Sequence, residues 1–274
     1  MGGNPAAYEP PLRATLQMSY LDAILLGILQ GLTEFLPISS SGHLVLTQYI
    51  LGVKAPGLTF ELLAHAGTLL AVLVFFRKQV CGLIRACYTP SMKEERRMVL
   101  LLIMGTIPAA LAGFFGEEFF EEAFSNPLVT SCMLLVTGAL LLFTRFVPKR
   151  EDGVKGKSAL LMGLGQAVAI MPGISRSGST IAVGMLLGVQ PSRAAEFSFL
   201  LAIPAISGAL VLKFRDLLAI DAASLGIYLT GTFFAFVFGL LAVYVVLSAI
   251  RKGKFEYFAY YCFAVGLLGL YLFI

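Results

Sequence analysis

The sequence predicts an all-α polytopic membrane protein, built as an inverted-topology repeat with two re-entrant helix hairpins and about six full transmembrane helices. Three observations predict it. First, 58% of the 274 residues are hydrophobic and 13% are charged, with a mean hydropathy of +0.87. A soluble domain of this length has too little interior to hide so much apolar surface. Second, apolar stretches of bilayer length recur to the end of the chain. Third, two further apolar segments are each interrupted by proline, glycine and hydroxyl residues, and the two interruptions match.

Residues 1–18, MGGNPAAYEPPLRATLQM, are polar, proline-rich and aperiodic. They read as a flexible N-terminal arm without the apolar core and cleavage pattern of a signal peptide. Residues 19–274 read as a single membrane domain, with repeat one at 19–150 and repeat two at 151–274. The continuous apolar stretches lie at 60–76, 98–115 and 128–147, then at about 195–212, 225–250 and 257–274. Most can span a bilayer, the shortest with modest thinning.

The interrupted segments are 21–51 and 158–188, broken by LPISSSGH and MPGISRSGST. Such clusters end a helix. Irregular backbone at membrane depth survives only where protein or a water-filled cavity shields it. Gln30 matches Gln166, Gly42 matches Gly178, and LGV at 51–53 matches LGV at 187–189, all 136 residues apart. Pro37 and Pro172 match with a shift of one residue. The agreement of breakers and polar residues together predicts an internal duplication. If each broken segment re-enters on its own side, three spans separate the two, so they open to opposite faces.

Charge supplies the sidedness. The 77–97 connector carries Arg77, Lys78, Arg85, Lys93, Arg96 and Arg97. The 116–127 connector carries Glu117, Glu118, Glu121 and Glu122 and no Lys or Arg, and the next carries Arg145, Lys149, Arg150, Lys155 and Lys157. The positive-inside rule puts the first and third in the cytoplasm and the acidic one outside. The first hairpin then enters from outside and the second from the cytoplasm. Lys213 and Arg215 fall outside, a mild violation, and both termini come out external. The formal net charge of +4 is thus a topology signal, and no nucleic-acid partner is implied. Cys81, Cys87, Cys132 and Cys262 lack CxxC spacing and read as isolated small hydrophobes.

The chemistry concentrates at the breaks. Glu34 lies three residues before Pro37, and a carboxylate at bilayer depth is usually functional. Its bland alternative is capping of the break. Gln30, four residues earlier, shares its helix face and can orient Glu34 or a bound oxygen, but it cannot act as a base. Ser39, Ser40 and Ser41 could each cap the next helix. With His43 and Glu34, however, they offer a nucleophile, a base and an orienting group within ten residues. His65, in LLAHAGTLL, reads as a packed, hydrogen-bonded residue. Asp22, Glu61, Arg193 and Glu196 open helical segments, where capping or the interface accounts for them.

The second break adds Ser175, Arg176, Ser177, Ser179 and Thr180. A guanidinium stays charged, so a buried Arg176 needs an anionic partner, either Glu34 or a ligand phosphate. Gly173 and Gly178 let backbone N–H groups approach an anion, and the helix start favours negative charge. No GxxxxGK[ST] occurs, so no nucleotide or organic cofactor is implied. From the residues alone two classes remain, an intramembrane phosphatase and a secondary transporter or flippase of a lipid phosphate or other anion. The Ser40/His43 pair favours the enzyme.

QGLTEFLPISSSGH at 30–43 and PGISRSGST at 172–180 resemble the two signatures of the undecaprenyl-diphosphate phosphatases, also called the bacitracin-resistance family. The resemblance covers about residues 20–274. It implies a bacterial inner-membrane, multi-pass enzyme. Such an enzyme hydrolyses undecaprenyl diphosphate to undecaprenyl phosphate and inorganic phosphate at the outer face, recycling the cell-wall lipid carrier. It further implies Ser40 as nucleophile with His43, Glu34 and Arg176 as catalytic partners. Gln30, Ser39, Ser41, Ser175, Ser177 and Thr180 fall at phosphate-binding positions. The family is described as needing Mg²⁺ or Ca²⁺, with Glu34 as the carboxylate that could hold it. Gln30 offers only a neutral amide where some members carry a second carboxylate. The implied partners are a polyprenyl diphosphate and membrane lipids.

Overall fold

The computed structural model describes residues 18–51, 57–147, 151–214, 217, 220 and 222–274. The N-terminal arm up to residue 17 lies outside these residues, as do Gly52, Val53, Lys149, Arg150 and Arg215. Among the described residues the regular elements are helices, with one isolated bridge between Asp152 and Val189. The helices are α1 (Tyr20–Phe35), α2 (Ser40–Leu51), α3 (Gly57–Phe75), α4 (Arg77–Tyr88), α5 (Lys93–Phe115) and α6 (Glu117–Phe124). Then follow α7 (Pro127–Phe143), α8 (Gly156–Val168), α9 (Arg176–Leu186), α10 (Pro191–Leu212), α11 (Ala222–Arg251) and α12 (Phe258–Phe273).

Among the described residues five stretches are long and apolar enough to cross a membrane: Lys93–Phe115, Pro127–Phe146, Pro191–Leu212, Ser224–Arg251 and Phe255–Phe273. A sixth arises only if α3 and α4 count together, and they meet at 84°. The apolar run at 60–76 is therefore a helix that turns sharply at Phe76. Leu100, Phe115 and Val211, at 67–79% exposure, are apolar side chains turned outward, as lipid-facing residues are.

Local chemistry sets the helix ends. Ser19 and Asp22 form a reciprocal capping box at the start of α1. Asn126 caps α7 through bonds from Leu128 N and Val129 N, with Pro127 at the first helical position. The two breaks fall at 36–39 and 169–175. At α1's rise per residue, α2, α8 and α9 span about 16–20 Å, well short of a hydrocarbon core of about 30 Å.

Small residues let the helices close on one another. A methyl group built at Gly27 would sit 2.3 Å from the carbonyl oxygen of Gly231, so α1 and α11 touch backbone to backbone. One built at Gly163 would sit 2.3 Å from the oxygen of Gly105, where α8 meets α5. Small-residue contacts of this kind drive helix association where lipid removes the hydrophobic incentive. The main core gathers Phe35, Phe76, Leu141, Met162, Phe197 and Phe199. Among the cysteines Cys262 is buried, and Cys81, Cys87 and Cys132 are exposed and free.

Candidate active site

Both breaks end on the same local device. At the first, Gly42 N donates to Ser39 Oγ at 3.2 Å, and the Ser39 and Ser41 hydroxyls are 3.3 Å apart. At the second, Gly178 N donates to Ser175 Oγ at 3.0 Å, and the Ser175 and Ser177 hydroxyls are again 3.3 Å apart. A serine cap opens α2 and α9 alike. Ser39 holds a φ of 69°, a left-handed conformation uncommon for a residue with a side chain. Gly173 holds a φ of 93°, with its backbone pressed on Thr130, where a methyl would fall 2.2 Å from the carbonyl oxygen.

The breaks touch. Gly42 closes on Gly173 and Gly178 on Pro37, where an added methyl would sit 3.0 and 3.2 Å from its neighbour. Ser177 Oγ donates to Leu36 O across the gap at 3.3 Å. Thr137, on α7, spans the second break: its hydroxyl donates to Gly173 O at 2.8 Å and accepts from Ser175 N at 3.1 Å.

A cavity of about 260 Å³ lies beside this junction. Its polar side is Glu34, Ser39, Ser40, Ser41, His65, Ser175 and Arg176. Its apolar side comes from Leu62, from Ala169, Ile170 and Ile174, and from Ala205, Ile206, Ala209 and Leu210 on α10. Glu34 is the hub. Its Oε1 accepts from Arg176 Nη2 at 2.6 Å. Its Oε2 accepts from Ser40 Oγ at 2.7 Å and from Gln30 Nε2 at 3.2 Å, and His65 Nε2 stands 3.5 Å away. Arg176 is also held by Nη1 donating to Ser198 O at 3.3 Å. The buried carboxylate thus has its counter-charge within one hydrogen bond, as burial requires.

The site residues expected from sequence are distributed as follows. Glu34, Ser39, Ser40, Ser41, Ser175 and Arg176 line one cavity, and Gln30 backs Glu34 from within α1. Ser177 is turned to Leu36, and Thr180 bonds Arg176 O at 2.8 Å and the Ser198 hydroxyl at 2.6 Å, so both brace the walls. His43 is not among the lining residues. Its Nδ1 lies 2.8 Å from Ser39 O, its Nε2 lies 2.9 Å from the Tyr261 hydroxyl, and its ring stacks on Tyr261.

His65 stands in the cavity instead, while keeping the hydrogen bond expected of it, Nδ1 to Glu61 O at 2.7 Å. The sequence does carry a signal for it, since an ionisable residue in an apolar run is suspect by default. Ser198, Thr137 and Tyr261 carry no such signal, because each is an ordinary residue of a long apolar helix.

The surroundings of Glu34 do not fit a preformed cation cage. Donors occupy both oxygens, and the described residues hold no group of three or more His, Cys, Asp or Glu side chains able to share an ion.

The family model for the bacitracin resistance protein BacA matches residues 23–268, nearly the whole membrane domain. The chain belongs to the BacA family. Curated members align end to end with it. The undecaprenyl-diphosphatase of Salinibacter ruber is 41% identical over 269 residues, covering 93% of this chain and all of the relative. That of Syntrophotalea carbinolica is 45% identical, covering 91% and 97%. That of Bacteroides thetaiotaomicron is 40% identical, again covering 91% and 97%. The BacA match contains both breaks and every residue of the Glu34 hub.

Proposed function

We propose that this cavity is where the chain hydrolyses undecaprenyl diphosphate to undecaprenyl phosphate and inorganic phosphate, recycling the cell-wall lipid carrier in the bacterial inner membrane. One observation carries the assignment of the site. A serine hydroxyl donates to a buried carboxylate that is itself clamped by an arginine, within an apolar-walled cavity. A free hydroxyl is a poor nucleophile and needs an adjacent base, which Glu34 Oε2 supplies to Ser40 at 2.7 Å. Arg176 has five N–H donors, and only one on each terminal nitrogen is committed here. The rest are free to grip a diphosphate and to stabilise the charge spread over the transferring phosphoryl oxygens. The hydroxyls of Ser39, Ser41 and Ser175 add donors at the same wall. The apolar residues of α10 offer the prenyl chain a lipid-like exit.

In this mechanism Ser40 Oγ attacks the terminal phosphorus, the bond to the bridging oxygen breaks, and water then cleaves the phosphoserine. His43, with both ring nitrogens engaged, braces α2 against α12 rather than taking the proton. A divalent cation would be carried by the diphosphate oxygens, since three donors already engage Glu34. Rapid quench with substrate labelled in its terminal phosphate tests the route. The expected result is acid-stable label on the peptide containing Ser40, absent in Ser40→Ala. Acid-labile label on His43, or no covalent intermediate in a single turnover, would reject it.

The architecture proposed is an inverted repeat with two re-entrant hairpins. Three observations support it. The breaks carry identical serine caps 136 residues apart. Gly27 and Gly163, at the same spacing, make the same close approach to a glycine carbonyl. The helices flanking each break are too short to cross alone. With the acidic α6 outside, the first hairpin and its cavity open to the outer face.

A further inference from the structure

Three ionisable side chains line the cavity: Glu34, Arg176 and His65. Arg176 cannot give up a proton. Glu34 receives the Ser40 hydroxyl directly, but its other oxygen already holds the Arg176 guanidinium, so a second group is needed to carry the proton away. His65 is the one left, and its ring is set for the task. Nδ1 faces the carbonyl oxygen of Glu61 at 2.7 Å, and a carbonyl only accepts. Nδ1 therefore carries the hydrogen, which leaves Nε2 as the ring atom that can take up a further proton. That nitrogen faces Glu34 Oε2, the same oxygen that holds the Ser40 hydroxyl, at 3.5 Å. About a third of the His65 side chain is open to the cavity, so the ring can exchange protons with water there.

We propose that His65 is the terminal proton acceptor of the reaction, reached through Glu34. The inference rests on the Ser40 route described above. As Ser40 Oγ bonds to phosphorus, its O–H breaks and the proton passes to Glu34 Oε2 and on to His65 Nε2. The bridging oxygen leaves with its electron pair as the lipid monophosphate. In the second half, a water oxygen bonds to phosphorus, the Oγ–P bond breaks, and one water proton returns to Oγ. The proton on His65 leaves through the cavity. While present, the imidazolium sits beside the Glu34 carboxylate, where low dielectric strengthens the attraction. Glu34 from α1 and Arg176 from α9 share the cavity wall with the ring, and the Glu61 carbonyl holds it from its own helix. The α10 residues that line the cavity are Ala205, Ile206, Ala209 and Leu210, and from α11 Thr232 and Ala235 meet α3. Acting through Glu34, His65 is a positioning and relay residue.

The test is single-turnover rapid quench on the full chain in detergent, with polyprenyl diphosphate labelled in its terminal phosphate. His65→Gln keeps a hydrogen-bonding side chain without a base, and His65→Ala opens space for added imidazole. The expected result is Ser40 label forming about a hundredfold more slowly in His65→Gln, with substrate affinity within about twofold of wild type. Imidazole should then accelerate His65→Ala and leave His65→Gln unchanged. Wild-type kinetics in His65→Gln, with Ser40 still labelled, would overturn the relay and leave the serine route standing. A slowed His65→Ala that imidazole fails to accelerate would also overturn it, reducing His65 to packing. Absence of Ser40 label in wild type would overturn both readings.

Discussion

Glu34 organises the site because four side chains from four helices converge on one carboxylate. Removing either member of the Glu34–Arg176 pair strands the other charge, which typically costs about 3–5 kcal/mol. Arg176→Lys keeps the charge but loses the planar fork that bonds Glu34 and Ser198 O together. We expect its turnover at saturating substrate to fall by about a hundredfold, measured as phosphate release. Near-normal turnover would remove the clamp. Glu34→Gln should lose more, since the base, the anchor of Ser40 and the counter-ion vanish together. Its melting temperature should fall as well, which a thermal-shift assay in detergent reads. Most of this hub was legible in the sequence, because a carboxylate and an arginine at bilayer depth have little reason to be there otherwise. His65 was harder. Its partner lies 31 residues away, and nothing in LLAHAGTLL says which face of α3 meets α1. The three-residue spacing of Ser40 and His43 suggested a pair, but α2 turns the histidine toward Tyr261.

At the scale of the element, the breaks are rigid junctions and not loose loops. Ser175 Oγ caps α9, Thr137 satisfies both Gly173 O and Ser175 N, and Ser177 ties the second break to the first. Thr137→Val keeps the shape and removes the hydroxyl, leaving a buried donor and a buried acceptor unpaired. We expect a loss of about 2–4 kcal/mol in stability, read as a lower melting temperature. Activity should fall further than stability alone explains, because Ser175 and Arg176 open the helix that Thr137 anchors. Unchanged melting would show that water takes over the bonds. Gly173→Ala should be worse, since its φ of 93° and its contact with Thr130 both exclude a methyl group. Proline, glycine and serine clusters announced the breaks in the sequence. The bridging threonine was invisible, because its position in α7 is set only by tertiary packing. The bend between α3 and α4 was hidden for a related reason: hydropathy averages over a window and does not register an 84° turn.

For the whole molecule, the proposed topology puts α6 and its glutamates outside. Single cysteines between 116 and 127, in a chain freed of its own exposed thiols, should react with an impermeant reagent added to intact cells. Silence there, with reaction near Lys93, would invert the orientation. If the cation is carried by the diphosphate, chelation in detergent should slow turnover while leaving the melting temperature unchanged, because the described residues group no three His, Cys, Asp or Glu side chains around an ion. A large drop in melting temperature would show a structural metal instead. Composition and broken periodicity made the helical membrane class plain, whereas the pairing of helices depends on contacts that no local pattern encodes. The seam between α1 and α11 carries one more consequence. Gly27 and Gly31 on α1 close on Gly231 and Ala235, which the ribosome adds 204 residues later. At ordinary synthesis speed that interval is about 10–40 s. Throughout it, the first helix has no partner for its small-residue face and must be sheltered by lipid or by the insertion machinery. The α1 seam therefore closes late: the synthesis of α11, and not of the neighbouring helices, decides whether the first helix stays.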